Sequence, residues 1–261
     1  FSEYETALKV FGTEVEHYLL RAEDHFALTS AFLPYLERFD GEMLMLCNPN
    51  NPTGQVTERP LMEKILEICK EKNIFLFIDE CFLDLTQGGE DVSMKPFLPE
   101  YRGLFLLKAF TKSYGMAGLR LGYCLTENER LLKTMGSQVQ PWNVSIPAQA
   151  AGIAALSQGK FLKKANKTIH TQRPVLEAGL KELGFTVVPS RTNYILFYSN
   201  RELREPLLQM GIQIRSCANY LGLGEGWYRV AVKLPEENKQ LLEALGKMRD
   251  EAPLKGELAR R

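Results

Sequence analysis

Short apolar runs alternate with helical patterns in the first half of the chain. Four such runs lie at 41–49, 73–80, 103–110 and 118–125, and the first two end in polar residues. Between the first two, apolar residues of the segment 57–73 recur at helical spacing, with Thr57 placed to cap the helix and Pro60 in its first turn. This alternation predicts an α/β fold, in which a mostly parallel sheet has helices on both faces.

Polar residues collect at the predicted carboxyl ends of these strands, at 48–54, 79–82 and 109–112. In open α/β sheets, ligands bind at the carboxyl ends of the parallel strands. We therefore expect these three segments to line a functional site.

The pattern changes after about residue 145. Residues 146–172 are predicted to form one long connecting helix. The elements predicted beyond it are helices near 174–183, near 202–210 and from 236, and strands at 185–188, 194–198 and 228–232. This irregular order predicts a smaller α+β domain. The expected division is 1–145 for a large domain, 146–172 for the connecting helix and 173–261 for a small domain.

Composition argues against several classes of function. Lysine plus arginine equals aspartate plus glutamate, at 32 each, so no net field favours a nucleic acid or an anionic membrane. The five cysteines show no CxxC spacing and the three histidines are scattered, so neither a disulfide framework nor a metal site is indicated. Since no apolar run reaches transmembrane length and no leader pattern opens the chain, we expect a cytoplasmic protein.

Two of the polar segments allow both a structural and a functional interpretation. The motif NPNNPTG (48–54) reads equally well as a surface turn and as a rigid ligand loop. Asp79 follows five apolar residues, so its carboxylate meets either a cationic ligand or a neighbouring cap or salt bridge. Glu80 and Asp84 are expected to be solvated.

The third segment, LLKAFTKSYGMAGLRLGY (106–123), combines an amine nucleophile with an anion site. Lys108 and Lys112 flank a polar turn that contains Thr111, and Arg120 follows eight residues after Lys112. A lysine, an arginine and a hydroxyl together suit covalent chemistry beside a bound anion. Taken singly, each lysine is more typical of a protein surface.

The motifs NPNNPTG, IDECF, TK and GLRLGY, in this order, resemble the pyridoxal-phosphate (PLP) aminotransferases and their relatives of fold type I. The resemblance covers the whole chain and implies the PLP-dependent transferase fold. It rests on all four motifs together.

The resemblance implies a role for each matching residue. Lys112 would bond covalently to the cofactor aldehyde and later move the proton at the substrate carbon. Asp79 would pair with the protonated pyridine nitrogen, and Asn51 would hydrogen-bond the phenolic oxygen of the ring. Thr111 and Arg120 would hold the cofactor phosphate.

The C-terminal part resembles two groups within the family. Arg215 in IRSCANYLGL and Arg229 in YRVAVKLPEENKQLL lie fourteen residues apart, and Phe82 stands in DECFLDL. These segments look like the threonine-phosphate decarboxylases of cobalamin synthesis, which implies that Asn51, Arg215 and Arg229 bind a phosphorylated amino acid. Histidinol-phosphate aminotransferases are the close alternative, and an exposed cation on a strand edge is the structural interpretation of Arg215.

Further expectations follow from the resemblance. The family's opening quarter, with its glycine-rich phosphate turn, has no counterpart in the chain, and Phe1 is a candidate for the aromatic that stacks on the ring. Because fold type I sites are built at dimer interfaces, the resemblance implies a homodimer in the complete protein. A non-catalytic sensor domain is a third, weaker interpretation.

Overall fold

The computed structural model describes residues 2–251, in which the chain forms two compact units. The parallel-sheet unit comprises residues 28–50 and 56–167. Of the described residues, 2–27, 51–55 and 168–251 form the antiparallel-sheet unit. The last boundary between the two units falls between Lys167 and Thr168. The domain roles predicted for 1–145 and 173–261 stay predictions.

The helices and strands of the described residues have the following bounds. The helices are α1 (Ser2–Val10), α2 (Leu33–Arg38), α3 (Arg59–Glu71), α4 (Gly89–Val92), α5 (Phe110–Ser113), α6 (Glu129–Gln138), α7 (Ile146–Leu156), α8 (Gly159–Glu182), α9 (Arg204–Gln209) and α10 (Pro235–Glu251). The strands are β1 (Met43–Cys47), β2 (Phe75–Asp79), β3 (Leu104–Ala109), β4 (Gly122–Leu125), β5 (Thr186–Val187), β6 (Tyr194–Tyr198), β7 (Arg215–Ser216) and β8 (Trp227–Ala231). Short 3₁₀ turns lie at Ala22–Asp24, Ser30–Phe32, Leu83–Leu85, Lys95–Glu100 and Ala117–Leu119.

The sheet of the parallel-sheet unit has the order β1-β2-β3-β4. β1, β2 and β3 run parallel, and β4 is antiparallel to β3. The register places Cys47 beside Asp79 and Asp79 beside Leu107, so the three parallel strands end along one edge. One face of α3 is buried in the core of this unit, through Met62, Ile65, Leu66 and Cys69. The predicted mostly parallel sheet with helices is confirmed.

The antiparallel-sheet unit contains a sheet of order β5-β6-β8-β7, in which every neighbouring pair is antiparallel. Ile195 and Phe197 on one face lie in a core with residues of α8, α9 and α10. Leu196 on the opposite face belongs to a separate cluster with Phe26 and Cys217. Because Leu196 is the register partner of Arg229, this second face also carries the arginine.

The prediction of one helix over 146–172 is wrong, because α7 ends at Leu156 and α8 begins at Gly159. The Ser157 hydroxyl donates to the carbonyl oxygen of Ala154 at 2.7 Å and so competes for a helix acceptor. The glycine that follows has low helix propensity. These two residues account for the break.

α8 then continues through Pro174, where the sequence predicts a new helix. A proline inside a helix removes one hydrogen bond and costs about 3 kcal/mol. The residues Ile169, Leu176 and Leu180 are buried on either side of it, and their packing offsets this cost. Within residues 2–251, no helix is both long and apolar enough to cross a membrane.

Candidate active site

Asn48 closes the loop that follows β1. Its side-chain amide donates to the carbonyl oxygen of Thr57 at 3.0 Å, and its side-chain oxygen accepts the Thr57 N–H at 2.9 Å. Its backbone N–H donates to the carbonyl oxygen of Asp79 at 3.0 Å. Asn48 is buried, with 3% of its surface exposed. The first asparagine of the NPNNPTG motif therefore holds the ends of the loop together.

Asp79 lies at the last position of β2, half-buried. Its Oδ1 accepts the backbone N–H of Cys81 at 2.8 Å, which turns the chain immediately after the strand. Burial, and then the Asp79 charge, raise the pKa of the Cys81 thiol well above its ordinary range. The carboxylate thus has a neutral thiol beside it.

The sequence predicts that Glu80 and Asp84 are solvated, but Glu80 is buried, Asp84 is half-buried, and both bind a buried lysine. Lys108 Nζ lies 3.2 Å from Glu80 Oε2 and 3.2 Å from Asp84 Oδ1. Glu80 is 1% exposed and also accepts hydrogen bonds from Ser93 Oγ and the Met94 N–H, each at 2.9 Å. A carboxylate emerging from a strand can remain charged inside the unit when it is paired and hydrogen-bonded in this way.

The two candidate lysines have different surroundings. Burial by itself would lower the pKa of Lys108, but the Glu80 and Asp84 carboxylates outweigh it, so this pKa lies above its ordinary value. The Lys108 amine is therefore protonated and occupied at neutral pH. Lys112 is exposed, and its Nζ lies 5.3 Å from the centroid of the Phe82 ring. Of the two amines, Lys112 is the one that a ligand can reach.

Thr111 and Arg120 lie on the segment that carries Lys112. Thr111 is half-buried within α5, one residue before the lysine. Arg120 is exposed and has a left-handed backbone with φ 55°, and its Nη1 donates to the carbonyl oxygen of Ala117 at 3.0 Å. A hydroxyl, an exposed guanidinium and an accessible amine form a donor set suited to an anionic ligand with a reactive aldehyde.

Asn51 is oriented by two donors of the antiparallel-sheet unit. Its Oδ1 accepts a hydrogen bond from Tyr220 Oη at 3.3 Å and a close one from Arg229 Nη1. Because the oxygen is already used twice, the amide nitrogen is the group left to donate to a ligand. The sequence identified Asn51 and Arg229 but missed Tyr220.

The rest of the Asn51 loop is fixed in the same unit. Gly54 has φ +74°, and a side chain there would clash with the Ser190 hydroxyl. The Arg191 N–H donates to the Gly54 carbonyl oxygen at 3.1 Å, and Gln55 Nε2 donates to the Pro189 carbonyl oxygen at 2.9 Å. Only glycine combines the positive φ with this close approach.

Arg215 and Arg229 are direct partners across β7 and β8, so they project from the same face of the sheet. Arg215 is exposed and its Nη2 donates to Asn219 Oδ1 at 3.4 Å, while the Arg229 guanidinium lies 5.2 Å from the centroid of the Tyr194 ring. Among the described residues, neither guanidinium forms an ion pair with a carboxylate. Two adjacent cations of this kind attract an anion.

The structure thus brings Asn51, Arg215 and Arg229 together in the antiparallel-sheet unit. In the parallel-sheet unit it places Asp79 and Lys112 at the ends of neighbouring strands. Phe1, the candidate stacking residue, lies outside the described residues. The network of Lys108, Glu80, Asp84 and Ser113 was missed, although a lysine inside the apolar run LFLLKAF signals a buried charge partner.

Known proteins are similar to this chain over most of its length. The sequence profile described as aminotransferase class I and II matches residues 1–245. The threonine-phosphate decarboxylase of Salmonella typhimurium is 38% identical over 249 residues, which cover 94% of this chain and 68% of that protein. The histidinol-phosphate aminotransferase of Thermoanaerobacter pseudethanolicus is 31% identical over 247 residues, covering 94% and 68%. The crystal structure of the histidinol-phosphate aminotransferase from Clostridium acetobutylicum matches with a TM-score of 0.88 at 27% identity, covering 96% of this chain and 75% of that one.

Proposed function

Because the chain belongs to the aminotransferase class I and II family, we propose that it decarboxylates L-threonine O-3-phosphate with the help of pyridoxal phosphate. The products are (R)-1-aminopropan-2-yl phosphate and carbon dioxide. The bond between Cα and the carboxylate breaks, its electron pair stays on Cα, and a proton replaces the carboxylate. The reaction belongs to cobalamin biosynthesis in the cytoplasm.

The donor set fits this cofactor. When bound, the pyridinium ring supplies an electron sink for the bonds at the substrate Cα. Lys112 holds the cofactor covalently and delivers the proton to Cα, for which its accessible amine is suited. Asp79, at the end of β2, keeps the ring nitrogen protonated by its negative charge. Thr111 and Arg120 bind the phosphate.

Within the antiparallel-sheet unit, Asn51 and the two arginines are the proposed ligand-binding residues. Asn51 donates its amide N–H to the phenolic oxygen of the ring. This agrees with the two hydrogen bonds that its Oδ1 already accepts, which leave the amide nitrogen to bind a ligand. The centroid of the Phe82 ring lies 5.3 Å from the Lys112 amine. Because phenylalanine has no hydroxyl, it offers no second hydrogen bond to the phenolic oxygen.

The two guanidinium groups that face each other across β7 and β8 are the observation that carries the choice of a phosphorylated substrate. A plain amino acid offers one carboxylate, whereas a phosphorylated one offers a carboxylate and a phosphate dianion. Arg229, held against Asn51, is suited to the carboxylate, and the exposed Arg215 is suited to the phosphate. The similarity to the Salmonella typhimurium decarboxylase supports the same substrate.

Histidinol-phosphate aminotransferase is the second candidate function. Its support is the likeness to the Clostridium acetobutylicum structure and the same pair of arginines, since that substrate also carries a phosphate. The two reactions differ in which bond at the substrate Cα is broken, the bond to the carboxylate or the bond to hydrogen. A small reorientation of the substrate decides between them.

Incubation of the complete gene product with each substrate separates the two functions. L-threonine O-3-phosphate should yield carbon dioxide and aminopropanol phosphate, whereas histidinol phosphate with 2-oxoglutarate should yield little glutamate. Glutamate without carbon dioxide would replace the decarboxylase by the aminotransferase.

The complete protein is further proposed to be a homodimer. Large apolar side chains on and just before α7 support this, because they are exposed in the parallel-sheet unit: Trp142 is 94% exposed, Ile146 81%, Ile153 73% and Leu156 69%. A contiguous exposed apolar surface is typical of a protein interface. The closed twofold symmetry common in soluble proteins would bury it against a second copy.

A further inference from the structure

Lys108 is a buried charge that the proposed chemistry does not use. It is 8% exposed, and its ammonium lies between the carboxylates of Glu80 and Asp84. A buried ion pair contributes little net stability, because the cost of removing charges from water offsets their attraction. One lysine between two carboxylates is therefore better explained by what it holds in place than by the stability it adds.

Glu80, Asp84 and Ser113 each lie within two positions of a residue that the proposed site uses. Glu80 follows Asp79 directly, and its backbone N–H donates to the Leu107 carbonyl oxygen at 2.9 Å. Asp84 lies two residues beyond Phe82, directly after a turn closed by the hydrogen bond from the Leu83 N–H to the Glu80 carbonyl oxygen at 3.0 Å. The Lys108 ammonium thus links β3 to carboxylates on both sides of Phe82.

A second link joins that turn to α5. Ser113 Oγ donates to Asp84 Oδ2 at 2.9 Å, and Ser113 directly follows Lys112. α5 has only four residues, and so short a helix has little stability of its own. Ser113 is 2% exposed, so this hydrogen bond fixes the helix from the interior of the unit.

We propose that Lys108, acting through Asp84 and Ser113, is a positioning residue that sets the Lys112 amine relative to Phe82 and Asp79. The proposal rests on the proposed function, in which Lys112 carries the cofactor. Reacting groups must be held within fractions of an ångström, and a displacement of about 1 Å can cost roughly 100-fold in rate. The network supplies this restraint through charged and hydrogen-bonded contacts, which are directional.

Two serine variants separate positioning from stability. Ser113→Ala and Ser93→Ala each remove a buried hydroxyl that donates to a carboxylate of the network at 2.9 Å, and neither changes the charge. Ser113 binds Asp84 on the side of α5, whereas Ser93 binds Glu80 away from it. If the network only stabilises the unit, both variants should change thermal unfolding to a similar extent, and neither should have an effect specific to Lys112.

The first readout needs no cofactor. After reductive ¹³C-methylation of the cofactor-free complete gene product, the NMR signal of Lys112, assigned with Lys112→Arg, should be shifted by the current of the Phe82 ring. Ser113→Ala should move this signal toward the position of free lysine, and Ser93→Ala should leave it in place. Lys108→Met should move this signal further. If Lys108→Met does not fold, the comparison of Ser113→Ala with Ser93→Ala still decides the test.

The second readout uses the protein loaded with pyridoxal phosphate. Ser113→Ala should lower kcat by about tenfold or more while KM changes little, and Ser93→Ala should change neither. The proposal is overturned if both serine variants behave alike, or if folded Lys108→Met leaves the Lys112 signal unchanged. A wild-type protein that shows no visible absorption of a lysine-bound cofactor contradicts the proposed function instead.

Discussion

Lys108 and Lys112 lie four residues apart, yet their amines have opposite surroundings. The Lys108 ammonium is enclosed with two carboxylates, and the Lys112 amine is exposed beside an aromatic ring. The sequence suggested Lys112 through a family motif, and residue type by itself could not separate the two. What separates them is burial, because an enclosed amine with carboxylate neighbours stays protonated and cannot act as a nucleophile.

Arg215 is exposed, and this changes the size of the effect expected on its removal. Breaking a buried charge pair costs about 2–5 kcal/mol, whereas an exposed guanidinium is screened by water. We therefore expect Arg215→Gln to lower kcat/KM for L-threonine O-3-phosphate by about tenfold, which is about 1.4 kcal/mol.

Arg204→Gln is the matched control, because Arg204 is an exposed arginine of the same unit whose guanidinium lies 3.7 Å from the Glu205 carboxylate. Its kcat/KM should stay at the wild-type value, and Arg215→Lys should retain part of the activity. Equal losses in the Arg215→Gln and Arg204→Gln proteins would show that Arg215 does not contact the substrate phosphate.

At the scale of elements, the sequence predicts best where a segment's own residues decide its structure. The strand predicted at 194–198 is present as β6 with the same bounds, and α3 lies within the predicted 57–73. The two-residue strand β7 was not among the predicted strands, although a strand edge was considered as the position of Arg215. The break at Ser157 and the passage of α8 through Pro174 depend on local hydrogen bonds and distant packing, which periodicity does not record.

The same distinction between local and long-range features applies to the candidate site. Residues in family motifs, such as Asp79 and Lys112, could be named from the sequence. The alignment of Arg215 with Arg229 could not, because it depends on the register between two strands that are joined by a loop, which residue type does not specify. Likewise, Tyr220 binds Asn51 across 169 positions of the chain, and no short-range pattern indicates such a contact.

At the scale of the whole molecule, α7 has one face buried and another exposed. Its buried positions are small, at Ala148, Gly152 and Ala155, whereas Ile153 and Leu156 are largely exposed. Large apolar side chains directed at water are costly, and burying them against a second copy would remove that cost.

The homodimer proposal predicts a position-specific effect of charge. Sedimentation should show a dimer of the complete gene product, and Ile153→Glu should shift it toward monomer. Val175→Glu, which places the same charge at an apolar residue on α8 that is 54% exposed, should leave the dimer intact. A stable, active wild-type monomer would contradict the proposal.

The identity of the lysine that carries the cofactor tests the account most directly. The complete gene product is loaded with pyridoxal phosphate, reduced with borohydride and digested, and the modified peptide is sequenced by mass spectrometry. The accessible amine beside Phe82 predicts modification of Lys112, with none on Lys108, and predicts that Lys112→Arg loses the label while the exposed control Lys133→Arg keeps it. Label on Lys108, or label retained by Lys112→Arg, would contradict the account.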